Sequence, residues 1–126
     1  MTTVLIVDDE PDIRRLVSFS LKRHGFEVIE ATDGLAACAV AEREHPDLIL
    51  MDVMMPLMNG FEAVRSLKAN GATAAIPVVM LSAKSQTYEQ EEGLESGAVS
   101  YICKPFTPAE LVEQVTDHLE RSTGKG

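Results

Sequence analysis

The groups in this 126-residue chain that could do chemistry occur in four short places. An acidic triplet, Asp8-Asp9-Glu10, follows the apolar run 4–7, and Asp52 follows the apolar run 48–51. Ser82 follows residues 77–81, and Lys104-Pro105 follows residues 101–103. Carboxylates such as Asp8, Asp9 and Asp52, gathered in one cleft, repel one another and raise one another's pKa. A hard divalent cation relieves that repulsion, and an all-oxygen set completed by water suits Mg²⁺. Neither histidine nor cysteine accompanies them, which disfavours zinc. His24, His45 and His118 are scattered and read as surface residues. A carboxylate, a cation, a lysine and a hydroxyl are the working parts of phosphoryl transfer. Asp52 is the expected nucleophile, because carboxylates form aspartyl-phosphate intermediates. Mg²⁺ and Lys104 would neutralise the transferring oxygens, and the Ser82 hydroxyl would hydrogen-bond one of them. Taken singly, each of these residues reads as an ordinary polar loop residue. The chemistry rests on their ending successive strands.

That condition puts the weight on the elements between them. The β-branched run 4–7 reads as a buried strand. Pro11 suits a first helical turn, the apolar positions Ile13, Leu16, Val17 and Leu21 follow at helical spacing, and Gly25 stops the helix. A second strand spans 27–31. Asp33-Gly34 opens a helix to about Glu44 with Leu35, Cys38, Ala39 and Glu42 on its apolar face, and His45-Pro46 ends it. A third strand spans 48–51. Asn59 and Glu62 resemble a capping box for a helix to about Asn70. A fourth strand spans 77–81, with proline at its first position, where it is tolerated. A more polar helix is expected over 86–96, weakened by Gly93 and closed by Gly97. A short fifth strand spans 101–103. Thr107, Pro108 and Glu110 start a last helix whose apolar face is Leu111, Val112, Val115 and Leu119, and residues 122–126 read as a tail or the start of a linker.

Strand and helix thus alternate five times, and apolar strands in that order imply a parallel sheet covered on both faces. Five units are too few for an eight-fold barrel. The fold expected is α/β, a doubly wound five-stranded parallel sheet in the flavodoxin-like order 2-1-3-4-5, forming one domain over residues 1–121. Such sheets bind ligands at the carboxyl ends of their strands, beside the switch point between strands 1 and 3. Asp52 then lies centred among the other strand ends.

Composition narrows the function classes. With 11 basic and 20 acidic residues the net charge is −9, so this domain repels phosphate backbones and is not expected to bind nucleic acid or an anionic membrane directly. Cys38 and Cys103 are too few for a disulfide framework and read as small core hydrophobes in a reducing compartment. The first apolar run is too short for a signal peptide, and none is long enough to span a membrane, so a cytoplasmic location is expected.

At five places in order, Val4-Leu5-Ile6-Val7-Asp8-Asp9-Glu10, Leu50-Met51-Asp52-Val53-Met54-Met55-Pro56, Asn59-Gly60, Leu81-Ser82-Ala83-Lys84 and Lys104-Pro105-Phe106, the chain resembles the receiver domain of two-component response regulators. The resemblance runs roughly from Thr3 to Leu119. It implies a signalling switch rather than a turnover enzyme, one that assists its own phosphotransfer and dephosphorylation. It implies that Asp52 accepts a phosphoryl group from phosphohistidine on a sensor histidine kinase or a histidine phosphotransfer protein. It further implies that Asp9, Asp52 and the Met54 carbonyl ligate Mg²⁺, with Asp8 acting partly through water. Ser82 would be the switch hydroxyl, Tyr101 the aromatic that turns inward on activation, and Lys104 the phosphate-pairing base aimed by a cis bond to Pro105. The responding face would comprise the 86–96 helix, the fifth strand and the last helix, and would control a downstream protein or an output domain. A phosphorylation-dependent homodimer is a further state the resemblance allows. Val99, Ser100 and Gln114 depart from the acidic pair and arginine usual in DNA-binding members, which weighs against their dimer geometry. Met54 and Lys84 stand where the family tunes dephosphorylation.

Two other classes compete. An aspartyl-phosphate phosphatase needs a second aspartate two residues after the nucleophile as acid and base, and Met54 stands there. A flavin or nucleotide binder needs a glycine-rich loop after strand 1, where Asp8-Asp9-Glu10-Pro11 would repel phosphate without a metal.

Overall fold

The computed structural model describes residues 2–53, 55, 58–83, 91 and 94–123. The elements run β1 (Thr3–Val7), α1 (Pro11–Arg23), β2 (Glu27–Ala31), α2 (Gly34–Glu44), β3 (Leu48–Asp52), α3 (Gly60–Ala69), β4 (Val78–Ala83), β5 (Ser100–Lys104) and α4 (Pro108–Thr123). Of the helix expected over 86–96, residues 91 and 94–96 are described and are helical; the others lie outside the described residues. The five strands form one parallel sheet in the order β2-β1-β3-β4-β5. This is the doubly wound, flavodoxin-like architecture that the alternation of elements requires.

Side-chain alternation along the central strands divides the core into two layers. Leu5, Val7, Ile49, Met51, Val78 and Met80 face α2 and α3, where Ala37, Ala41, Ala63, Val64 and Leu67 meet them. Val4, Ile6, Leu48, Leu50, Val79 and Leu81 face the other way, onto Val17 and Leu21 of α1 and Leu111 and Val115 of α4. A parallel strand buried on both faces needs an unbroken apolar run, which is why these segments carry no polar alternation.

Local chemistry fixes the helix ends. Asp33 accepts from the Ala36 amide at 2.8 Å. Asn59 and Glu62 form a reciprocal capping box at 2.9 and 3.0 Å. Thr107 and Glu110 form another at 3.1 and 2.9 Å. Gly25, closing α1, and Gly97, leading into β5, have φ of 90° and 120°, backbone that L side chains rarely adopt.

Three expectations require correction. The buried face of α2 is Gly34, Ala37 and Ala41, with Leu35 and Ala39 exposed. The reason is close approach: a Cβ at Gly34 would meet the Met58 carbonyl at 2.7 Å, so small residues face α3 and the larger Leu35 is turned out. His118 is buried, not a surface residue, because it shares the inward stripe of α4 with Leu111 and Val115 at three- and four-residue spacing. The last helix also includes Ser122 and Thr123, assigned above to the tail. Cys38 and Cys103 are half-buried; Cys38 packs against the α2–α3 layer, and burial raises its thiol pKa.

Candidate functional site at the carboxyl edge of the sheet

The parallel register brings the expected residues to one edge. Val7 pairs with Met51, so Asp8 emerges beside Asp52. Asp52 pairs with Leu81, placing Ser82 one step beyond, and Ser82 pairs with Cys103 while Ala83 pairs with Lys104. One acidic, one hydroxyl and one cationic strand end therefore converge on the end of β3.

Asp8 is fully buried and Asp52 is 6% exposed, while Asp9 is exposed. One carboxylate oxygen from each of the three lies within 4.8 Å of the others. The Lys104 ammonium donates to Asp52 Oδ1 at 2.8 Å and to Asp8 Oδ2 at 3.3 Å. The other Asp8 oxygen accepts from the Glu10 amide at 2.9 Å, which ties the acidic triplet into a tight turn. Three carboxylates against one ammonium leave an excess of negative charge, and three oxygen donors in that arrangement fit a hard divalent cation.

Burial is the main influence on Asp52 and pushes its pKa up to about 6. The hydrogen bond and charge of Lys104 pull it down, and Asp8 and Asp9 push it up again. For Lys104, burial lowers the pKa, but Asp52 and Asp8 together outweigh it and hold the ammonium above its ordinary value. The proton between them therefore belongs to the lysine at neutral pH, and Asp52 is an ionised carboxylate held in a poorly hydrated place.

The Ser82 hydroxyl is buried and has no hydrogen-bond partner among the described residues. A buried hydroxyl without a partner is costly, and this one lies at the strand end beside Asp52. Tyr101 is half-buried in β5 and packs against the α2–α3 layer. The Lys104–Pro105 bond is cis. Met54, like Lys84, lies outside the described residues.

Two residues bearing on the edge were not singled out as site residues in the sequence. Gly60 packs against the end of β3, where a Cβ would collide with the Asp52 carbonyl, and its amide donates to the Val53 carbonyl at 2.9 Å. Its signal was the Asn59-Gly60 pair, read as a helix start and as one of the places of family resemblance but given no site role. Arg14, on α1, donates to the Asp8 carbonyl at 2.8 Å and had no signal beyond helical spacing. Elsewhere, a cleft of about 550 Å³ between α1 and α4, lined by residues such as Leu16, Phe19, His24 and Val112, holds none of these groups.

A doubly wound sheet with an acidic cluster, a lysine and a serine hydroxyl gathered at its carboxyl edge defines a receiver class. The model of the response regulator receiver domain matches residues 4–116, and the chain belongs to that family. It is 45% identical over 124 residues to the phosphate regulon transcriptional regulatory protein PhoB of Pseudomonas aeruginosa, covering 98% of this chain and 54% of PhoB. It is 40% identical over 119 residues to the DNA-binding response regulator MtrA of Mycolicibacterium smegmatis, covering 94% and 51%. The chain thus spans about half the length of the curated relatives it matches. Among solved structures, the chemotaxis protein CheY4 of Vibrio cholerae superposes with a TM-score of 0.87 at 37% identity, covering 93% of this chain and 98% of that one. Among the described residues, no helix is long and apolar enough to cross a membrane.

Proposed function

We propose that this receiver domain is a phosphorylatable switch in which Asp52 is the acceptor. A phosphohistidine on a sensor histidine kinase or a histidine phosphotransfer protein is the donor. An Asp52 oxygen attacks phosphorus, the P–N bond breaks, and its electron pair stays on the imidazole nitrogen. Asp8, Asp9 and Asp52 would hold Mg²⁺; the Met54 carbonyl, expected as a further ligand, lies outside the described residues. Bound there, the ion supplies charge neutralisation for the phosphoryl oxygens. Lys104 pairs with one of those oxygens, and the Ser82 hydroxyl donates to another.

The observation that carries this reading is the juxtaposition of a buried, ionised Asp52 on Lys104 with the Ser82 hydroxyl one strand away, which has no partner among the described residues. The arrived phosphoryl group adds about −1.5 to −2 charges and three acceptor oxygens, which draws Ser82 toward it. Tyr101 is the group placed to respond, along with the helical segment ending at Ser96 and α4. The equilibrium shifts only by the differential interaction of the phosphoryl group with the two arrangements. Relatives named as transcriptional or DNA-binding regulators support control of an output segment or partner protein; the −9 charge argues that this domain does not itself hold nucleic acid. The same reading places it in the cytoplasm, with dimerisation as a possible consequence of phosphorylation rather than a requirement. It also makes the domain a stoichiometric participant, not a turnover enzyme.

Incubation with Mg²⁺ and acetyl phosphate, read by intact mass, should add one phosphoryl group to the wild type and none to Asp52→Asn. Chelation of the metal should abolish the addition. The labelling rate should fall as pH drops through about 6, because protonated Asp52 is neither nucleophile nor ligand. Equal labelling of the variant would identify a different acceptor.

A further inference from the structure

Every polar atom of Asp8 has a partner, and two of those partners, Ala31 and Arg14, lie outside the acidic edge. Its amide donates to the Ala31 carbonyl at 3.2 Å, and its two carboxylate oxygens are held by the Glu10 amide and Lys104. Its carbonyl accepts from Arg14 Nη1 at 2.8 Å. Arg14 is itself held: its Nε donates to Glu30 Oε1 at 3.2 Å, and the other Glu30 oxygen accepts from the Ser18 hydroxyl at 2.9 Å. The Arg14 side chain is 17% exposed and Ser18 is buried, while the Glu30 side chain is 43% exposed, so the brace is enclosed at its Arg14 end and meets solvent at Glu30.

The Asp8 carbonyl belongs to the peptide that joins Asp8 to Asp9. Because a peptide is planar, fixing that oxygen fixes the direction in which the next residue leaves. Two of the three candidate metal ligands hang from this one plane. We infer that Arg14, buttressed by Glu30 and Ser18, is a positioning residue for the cation site, setting the Asp8–Asp9 peptide so that both carboxylates reach one ion. The inference rests on the metal reading proposed above and extends it to a residue that touches no ion.

The sign of the effect separates this role from simple electrostatics. Arg14 is a positive charge near a site for a dication, so on Coulomb grounds alone its removal strengthens Mg²⁺ binding. Loss of positioning weakens it. The experiment is Mg²⁺ titration by calorimetry on the wild type, Arg14→Ala, Arg14→Lys and Arg15→Ala, with thermal unfolding measured alongside. Arg15 is a largely exposed arginine on the same helix whose ion-pair partner is Asp12, and it serves as the charge control. Arg14→Ala should bind Mg²⁺ about 10-fold more weakly, the low end of what loss of outer ligand support costs. Arg14→Lys should recover part of this, and Arg15→Ala should bind as the wild type or slightly tighter.

Glu30→Gln should weaken binding in the wild type but add nothing to Arg14→Ala, whereas a direct Coulomb effect of Glu30 would persist in both. Should Arg14→Ala fail to fold, Arg14→Lys and Glu30→Gln carry the same test. Unchanged or tighter binding by Arg14→Ala, or additive effects of the pair, overturns the positioning role while leaving the metal site intact. Absence of saturable Mg²⁺ binding by the wild type overturns the metal reading itself.

Discussion

The two strands that deliver the central pair of the site, Asp52 and Lys104, are built very differently. β3 is buried at all of its residues and lies between β1 and β4. β5 is an edge strand with one neighbour, buried only at Ile102, and is preceded by an exposed Val99. The carboxylate therefore rides on a strand flanked by two others and buried throughout, while the lysine and Tyr101 ride on one that is paired along a single edge. Interiors packed to crystal-like density rearrange poorly, and sparsely packed edges rearrange at lower cost. The contrast suits a fixed role for the proposed phosphoacceptor and an adjustable role for the groups proposed to report on it.

Core truncations test the contrast most strongly. Leu50→Ala in β3 should cost about 3–5 kcal/mol, and Ile102→Ala in β5 only about 2–3 kcal/mol, in urea unfolding. Equal costs would break the comparison. Gly60→Ala should cost about 2–3 kcal/mol, because its methyl group meets the Asp52 carbonyl rather than a flexible side chain. That variant should also label more slowly with acetyl phosphate, since the end of β3 must shift to accommodate it.

Charge gives a smaller effect of opposite sign. Asp52 has a higher pKa folded than unfolded, so its contribution to stability is most favourable below about pH 4 and is lost as pH rises through about 6. Asp52→Asn should therefore be more stable than the wild type at pH 7, by on the order of 1–2 kcal/mol, with the gap closing toward pH 4. Denaturant midpoints measured across that range decide it, and a less stable variant at pH 7 would show that the pair with Lys104 outweighs burial. At the small end, Val99→Ser should change stability by less than about 0.5 kcal/mol, as expected for an exposed side chain beside an edge strand.

The same contrast explains what could be read from the sequence. Buried parallel strands announce themselves as apolar runs, so residues 4–7 and 48–51 located β1 and β3 to within a residue. The capping residues Asp33, Asn59 and Thr107 marked three helix starts for a local chemical reason. What the sequence concealed depends on who lies opposite. In α2 the run Gly34-Leu35-Ala36-Ala37-Cys38-Ala39 has little periodic contrast, and its inward face is chosen by the approach of Met58. His118 was hidden because its residue type argued for the surface while its spacing argued for the core. The partnership of Arg14 with the Asp8 carbonyl uses a backbone atom, which no residue type betrays. The edge residues Asp8, Asp52, Ser82 and Lys104 were legible because each directly follows, or closes, an apolar run.

The ion pair between Lys104 and Asp8 joins positions separated by 96 residues. Its length has a consequence for how the chain is made. During synthesis the first three strands, with both aspartates, leave the ribosome well before the cation that offsets them. A nascent chain ending short of Lys104 carries mutually repelling charges at the spot it most needs to close. The last of the five strands thus acts as a latch on the first, and premature termination leaves that latch undone.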